Sequence, residues 1–352
     1  MSAATPSEQA TPNPARYELC LLTGASGFIG GRLARRLTEE GYAVRCLVRP
    51  SSDTTALEQL PVELVSGDLT DAQSLARAVA DCRYVFHSGA LVSDWALKDE
   101  IIKINVTGTR ALLEAAADAS VERFVHFSTT DVYGYPDARA TDESYLSTRF
   151  RNWYAQTKLL AEAEVRRIQA ERALRTVILR PATVYGPGSV EVVREIARAI
   201  RKRNMLLIDK GRAIAGLCFV ENVIDAALLA LRTDAALGEA FNLSDGLSVT
   251  WRQFTDDLAD GLHCPHVRLS MPYTLANGLG FTLEHGYRLL RRATQLSTPP
   301  LLSRQAVQVL GKNHDFSNRK AREMLRWEPR VGYEDGLEQT LAWLRSSELA
   351  SA

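Results

Sequence analysis

Tyr154 and Lys158 stand four residues apart in Tyr154-Ala155-Gln156-Thr157-Lys158. On a helix, positions i and i+4 share a face, so a phenol and an ammonium can enter the same pocket. A positive charge beside a tyrosine lowers its pKa toward working pH and makes the phenol a usable proton donor or acceptor. The spacing also occurs on ordinary solvated helix faces. It takes its weight from what accompanies it.

A second signal lies upstream, in Thr23-Gly24-Ala25-Ser26-Gly27-Phe28-Ile29-Gly30. It follows the apolar run Leu19-Cys20-Leu21-Leu22 and leads into Arg32-Leu33-Ala34-Arg35-Arg36-Leu37, which has helical periodicity. Strand, glycine turn and helix form the context that a dinucleotide fingerprint requires. Gly24 allows the tight turn, Gly27 lets the backbone approach a pyrophosphate, and Gly30 lets helix and strand pack closely. The helix start then offers free N–H groups to phosphate. The next strand, Ala43 to Arg49, ends on Val48-Arg49 rather than on an acid. An acid there would bind a ribose 2′-hydroxyl, whereas the Arg49 guanidinium suits a 2′-phosphate, which points to NADP(H), with NAD(H) as the other possibility.

With both signals placed, the chain resembles the extended short-chain dehydrogenase/reductases from about Tyr17 to Leu344. Further segments match that family in order: Gly67-Asp68-Leu69, His87-Ser88-Gly89-Ala90, Asn105-Val106-Thr107-Gly108-Thr109, and Leu179-Arg180-Pro181-Ala182-Thr183-Val184-Tyr185-Gly186. The family more often has a second alanine where Gly89 stands. The resemblance implies that Asp68 and Leu69 border the adenine, and that Ser88, Gly89 and Ala90 form the turn after the fourth strand. It also implies that Asn105 braces that turn and that Pro181, Thr183 and Val184 pass the nicotinamide. Ser26, Phe28 and Ile29 join the glycines in the cofactor loop. In Phe124 to Gly134, the resemblance implies that a Ser or Thr four residues before the Tyr-Gly pair is the catalytic hydroxyl, a register that selects Thr129. Ser128 and Thr130 compete with it, but side chains alternate along a strand. The implied mechanism has Thr129 on the substrate oxygen, Tyr154 transferring the proton and Lys158 holding the nicotinamide ribose.

The implied fold is α/β: a Rossmann, doubly wound parallel sheet with a smaller, mostly helical C-terminal substrate lobe. Strand and helix signals alternate from Leu19 to Leu179. We expect a disordered tail over 1–16, a cofactor domain over 17–186 with returning segments near 216–246, a substrate lobe from 187–215 and 247–346, and a tail over 347–352. Lys plus Arg and Asp plus Glu number 42 each, so no net charge attracts nucleic acid or an anionic membrane. The five cysteines are scattered and lack metal-ligand spacing, as in a reduced, cytoplasmic protein, and Cys20 and Cys46 read as core filler. No histidine pairing suggests a metal site. The N-terminal stretch carries no signal-peptide pattern and no run is long enough to span a bilayer. Arg32, Arg35 and Arg36 read as a solvated helix face.

Within the family three branches compete: hydroxysteroid and sterol dehydrogenases, dihydroflavonol-type ketone reductases, and nucleotide-sugar epimerases or dehydratases. The sugar enzymes usually carry an acid after the second strand and a proline before the Asn-Val-x-Gly-Thr motif. This chain has neither, and Trp95 in that loop resembles the reductase branches. The apolar stretch Met271 to Leu283, followed by Glu284, His285, Arg288, Arg291 and Arg292, suits a lobe beside a hydrophobic substrate or an amphipathic surface helix. The expected substrate is a hydrophobic ketone or alcohol, steroid-like, polyketide or aromatic. A nonenzymatic cofactor sensor on the same fold is the remaining alternative, set against the presence of Thr129, Tyr154 and Lys158 together. A homodimer is expected through the Tyr154 helix and the helix over Gly108–Ala117.

Overall fold

The computed structural model describes residues 18–93, 96–147, 152–293 and 303–349. The expected tail over 1–16, Trp95 and residues 350–352 lie outside them.

In chain order the elements are β1 (Leu19–Thr23), α1 (Phe28–Glu39), β2 (Ala43–Val48), β3 (Val62–Ser66), α2 (Ala72–Val79), β4 (Tyr84–His87), α3 (Lys98–Ile102), α4 (Thr109–Asp118), β5 (Arg123–Phe127), α5 (Trp153–Arg172), β6 (Thr176–Pro181), β7 (Thr183–Tyr185) and α6 (Glu195–Arg201). There follow β8 (Leu207–Ile208), β9 (Leu217–Phe219), α7 (Val220–Arg232), β10 (Ala240–Leu243), α8 (Trp251–Gly261), β11 (Ser270–Met271), α9 (Tyr273–Ala293), α10 (Arg304–Gly311), α11 (Arg319–Leu325) and α12 (Tyr333–Leu349).

Seven strands form one parallel sheet in the order β10-β6-β5-β4-β1-β2-β3. Strands β4, β5 and β6 are buried along their whole length, which is why they read as continuous apolar runs rather than alternating ones. One face of the sheet packs Leu22, Phe86, Val125 and Leu179 under Leu33, Leu37, Val223 and Trp327. The other packs Leu21, Val85, Phe124 and Ile178 under Leu75, Leu112, Leu113 and Val165. Chain direction across the sheet reverses between β1 and β4. A crevice opens at the carboxyl ends of strands at such a point, where ligands bind.

Beyond β6 the chain builds a second core around Tyr185, Phe219, Trp251, Phe254 and Leu344. Thr183–Tyr185, read from sequence as loop, is a strand paired with β9. Asn222 and Asp245 bind this part to the sheet. Asp245 accepts from the Phe219 amide at 2.8 Å and from Asn222 Nδ2 at 2.9 Å, while Asn222 Oδ1 accepts from the amides of Arg330 and Val331 at 3.0 Å. The α1 arginines correct the solvated-face expectation. Arg32 pairs with Glu221 and Arg36 with Asp225 at 2.6 Å, so both join α1 to α7, and only Arg35 is fully exposed. Among the described residues no helix is long and apolar enough to cross a membrane.

Candidate active site

The glycine loop has the shape of a phosphate cradle. Gly24 has φ +75°, and a Cβ there would meet the Gly89 amide nitrogen at 2.6 Å. A Cβ on Gly30 would lie 2.1 Å from the Gly24 carbonyl oxygen, so α1 can approach β1 only without one. Gly27 has just that same oxygen, at 3.2 Å, within contact range, and with Ser26 it is exposed. Gly27 is also the N-cap of α1 and has no side chain to cap it. The helix therefore presents its first-turn N–H groups to the crevice, which fits a dinucleotide's phosphates. Phe28 and Ile29 are half-buried behind the loop, with Phe28 against Gly188.

A chain of hydrogen bonds locks β1 to β4 beside this cradle. The Thr109 hydroxyl donates to the Asn105 carbonyl at 2.7 Å, so it accepts from His87 Nε2 at 2.8 Å. That assignment leaves His87 Nδ1 to accept from the Thr23 hydroxyl at 2.7 Å, which in turn accepts from the Gly89 amide at 3.2 Å. Burial beside Lys158 pushes His87 down to about 3, consistent with a neutral ring. The Ser88 hydroxyl donates to the Thr23 carbonyl at 2.8 Å. Asn105 clamps Leu91 from both sides, accepting from its amide at 2.7 Å and donating to its carbonyl at 3.0 Å. Its amide also donates to Thr157 of α5 at 3.1 Å. Ala90 is half-buried between these groups.

On the adenine side, Arg49 ends β2 with its side chain exposed, and its charge helps hold Asp68 below the usual carboxylate range, although Thr70 bonds matter more. Asp68 accepts from the Thr70 amide at 2.8 Å, and Leu69 packs against Gly108. On the nicotinamide side, Pro181 is buried and Val184 half-buried. Thr183 donates its hydroxyl to the Ala215 carbonyl at 2.7 Å, so its contribution there is to shape the loop.

Of the candidate catalytic residues, Tyr154 and Lys158 lie on α5 and Thr129 lies two residues past the end of β5. Asn152 caps α5 by accepting from the Ala155 amide at 2.6 Å, which sets Tyr154 in the first turn and Lys158 one turn on. Lys158 is 3 % exposed; its ammonium donates to the Phe127 carbonyl at 2.5 Å and faces His126 Nε2 at 3.5 Å. Burial lowers its pKa to about 8, against an opposing pull from Glu162. The three hydroxyls lie just past the end of β5 and differ in burial. Ser128 is buried and donates to Glu162 at 2.6 Å, and Thr130 is buried. Thr129 is half-exposed and accepts from the Asp131 amide at 3.2 Å, which leaves its O–H free to donate outward.

The phenol differs from the sequence expectation in one respect. Tyr154 is pushed up rather than down, first by burial and then by the charges of Asp131 and Glu191. Lys158 turns its ammonium to the Phe127 carbonyl. Burial lifts Asp131 itself to about 6. Sequence reading passed over Asp131, Glu191 and the buried acid Glu162. Only Glu162 left a signal, an acid on the helix face that carries Tyr154 and Lys158.

The model for the NAD dependent epimerase/dehydratase family matches residues 20–244. The chain is 32% identical to a 4-hydroxy-2-methyl-3-oxo-4-farnesyl-3,4-dihydroquinoline-1-oxide ketoreductase from Stigmatella aurantiaca, over 90% of this chain and 94% of that protein. It is 30% identical to a 2-alkyl-3-oxoalkanoate reductase from Stenotrophomonas maltophilia, over 92% of this chain and 98% of the relative. The crystal structure of gox2253 superposes with a TM-score of 0.77 at 27% identity, covering 94% of this chain and 98% of that one.

Proposed function

The chain belongs to the NAD dependent epimerase/dehydratase family, in its extended short-chain dehydrogenase/reductase branch, and from that premise we propose that it interconverts a hydrophobic ketone and its alcohol through Thr129, Tyr154 and Lys158. It is an NAD(P)-dependent oxidoreductase. The observation that supports the finer reading is the seating of Lys158 between the Phe127 carbonyl and His126, one turn along α5 from Tyr154.

The bound nicotinamide supplies or accepts the hydride. Thr129 donates its O–H to the substrate oxygen, since its own acceptor side already holds the Asp131 amide. Tyr154, kept protonated by burial and then by its acidic surroundings, gives its proton to that oxygen as the carbonyl is reduced to the alcohol. Lys158, one turn along α5 from the phenol, would hold the ribose.

An apolar rim supports a hydrophobic substrate. Leu97, Tyr145, Leu146, Trp153 and Val190 are exposed, and the Lys98 ammonium sits 4.7 Å from the centre of the Trp153 ring, which joins α3 to the first turn of α5. The Stigmatella and Stenotrophomonas relatives are named for ketone substrates with farnesyl and alkyl substituents. Arg49, with no acid at the end of β2, supports NADP(H) over NAD(H). The helix pair α4 and α5, bridged by Arg110–Glu164 at 2.7 Å and Arg172–Asp118 at 2.7 Å and exposing Leu160, is the proposed homodimer face. Light scattering at micromolar concentration tests it, and a monomer removes it.

The activity test follows nicotinamide absorbance with NADPH and with NADH against a panel of steroid, polyketide-like and quinone-like ketones. Turnover favouring NADPH is expected. Consumption of neither cofactor by any ketone would move the reading to a nucleotide-sugar epimerase, whose hydride returns to the substrate.

A further inference from the structure

Beneath Lys158 lies a charged group that the reaction above does not use. Glu162 follows it by one helical turn, about 6 Å along the axis, and is fully buried. Its carboxylate is gripped at both oxygens by Arg180 of β6, Nε to Oε1 at 2.8 Å and Nη2 to Oε2 at 2.6 Å. Ser128, next to Thr129, donates to Oε1 at 2.6 Å, and Arg166 reaches Oε2 at 3.2 Å. Arg180 continues to the Tyr133 hydroxyl at 2.8 Å, which donates to Asn242 at 2.7 Å, and the Asn242 amide donates to Glu143 at 2.7 Å. The network thus runs from α5 through β6 to β10, under the catalytic end of the sheet.

A buried ion pair is a poor device for stability, because desolvation offsets most of its Coulomb gain and apolar residues of similar volume do as well. Its place suggests another use. The Lys158 ammonium is itself buried, and burial favours the neutral amine. The other titratable groups around it are the Tyr154 phenol on its own helix, His126 from β5 and His87 from β4. Burial and the Lys158 charge keep both imidazoles neutral. The negative charge of Glu162 opposes that burial and favours the ammonium.

We propose that Glu162, fixed by Arg180 and Ser128, is a positioning residue that keeps Lys158 charged at working pH. The inference rests on the catalytic reading of Lys158 and deepens it. Glu162 touches neither substrate nor cofactor and acts through Lys158 alone, while Arg180 holds the carboxylate ionised within the fold.

The test reads the charge state of Lys158 directly. The full chain is labelled with 13Cε-lysine and titrated by NMR, with the Lys158 resonance assigned by its loss in Lys158→Met. The native midpoint is expected near 8. Glu162→Gln should move it down by roughly one pH unit or more, and NADPH binding followed by cofactor fluorescence should weaken at correspondingly lower pH. Because Gln leaves Arg180 buried without a counter-charge, Glu162→Gln/Arg180→Met is the companion that removes both charges and still packs. Ser128→Ala keeps the carboxylate and should keep the native midpoint. An unmoved midpoint in the folded charge-deleted variant, or an equal shift in Ser128→Ala, overturns the proposal. Normal ketone turnover by Lys158→Met would instead overturn the catalytic reading, a result that the titration does not mimic.

Discussion

At Tyr154 the balance of charges decides which proton chemistry comes easily. Burial and the nearby Asp131 and Glu191 favour the neutral phenol, so the resting group is a proton donor, suited to ketone reduction. Tyr154→Phe removes that proton and little volume. Turnover should fall by roughly 10²- to 10⁴-fold, while NADPH affinity from fluorescence titration stays within a few-fold of native. Near-normal turnover would remove Tyr154 from the mechanism. Arg49 makes a separate prediction, because its exposed guanidinium acts on affinity and not on chemistry. Arg49→Ala should weaken NADPH about tenfold, the equivalent of one lost charge-assisted phosphate contact, and leave NADH unchanged. Equal losses for both cofactors would show that Arg49 supports the fold locally and does not read a 2′-phosphate.

The elements explain why these side chains can act together. Strand β1 and helix α1 approach until the Gly30 Cα faces the Gly24 carbonyl, a distance that no side chain at position 30 permits. Gly30→Ala must push α1 away from the turn and with it the N–H groups meant for phosphate. Loss of cofactor binding is expected in a protein that keeps its far-ultraviolet circular dichroism; full NADPH affinity in that variant would show that the loop is not the phosphate site. Asn105 performs the matching task for the turn after β4, satisfying both backbone groups of Leu91 and touching α5 through Thr157. Asn105→Ala leaves those groups without partners and should cost roughly 1–3 kcal/mol, measured by urea unfolding of the full chain. A cost near zero would mean that the clamp is replaced by solvent.

Over the whole molecule, buried titratable groups set how stability responds to acid. His87, His126 and His314 are buried and depressed, to about 3 for His87 and about 4 for His314. Each is neutral when folded and takes a proton near 6.5 when unfolded, so stability is level above pH 6.5 and falls below it. Asp131 and Asp245, both raised to about 6, act in the opposite sense, since the folded state binds their protons first. Four raised carboxyls, Glu143 and Glu191 with these two aspartates, offset the three histidines in sum, and the histidine share is a decline between pH 6.5 and 5, read in the urea midpoint. His314→Gln should flatten that decline by about one proton; an unchanged slope would show that His314 does not contribute. Local pattern alone determined much of this molecule. The apolar runs fixed the seven parallel strands, and the glycine spacing marked the turn where backbone meets backbone. Sequence selected Thr129 by its register to the Tyr133-Gly134 pair and by alternation along a strand, whereas in the fold β5 ends at Phe127 and Thr129 caps the short 3-10 turn over Thr130–Tyr133. What only the tertiary structure decided depends on distances between remote segments. Arg32 and Arg36 read as solvent-facing until α7 brought Glu221 and Asp225 to them, 189 residues away in the chain. Asp131 and Glu191 set the phenol's charge from other elements, and Glu162 meets Arg180 only because β6 lies under α5. Coulomb and desolvation terms act through space, and a sequence lists neighbours only along the chain.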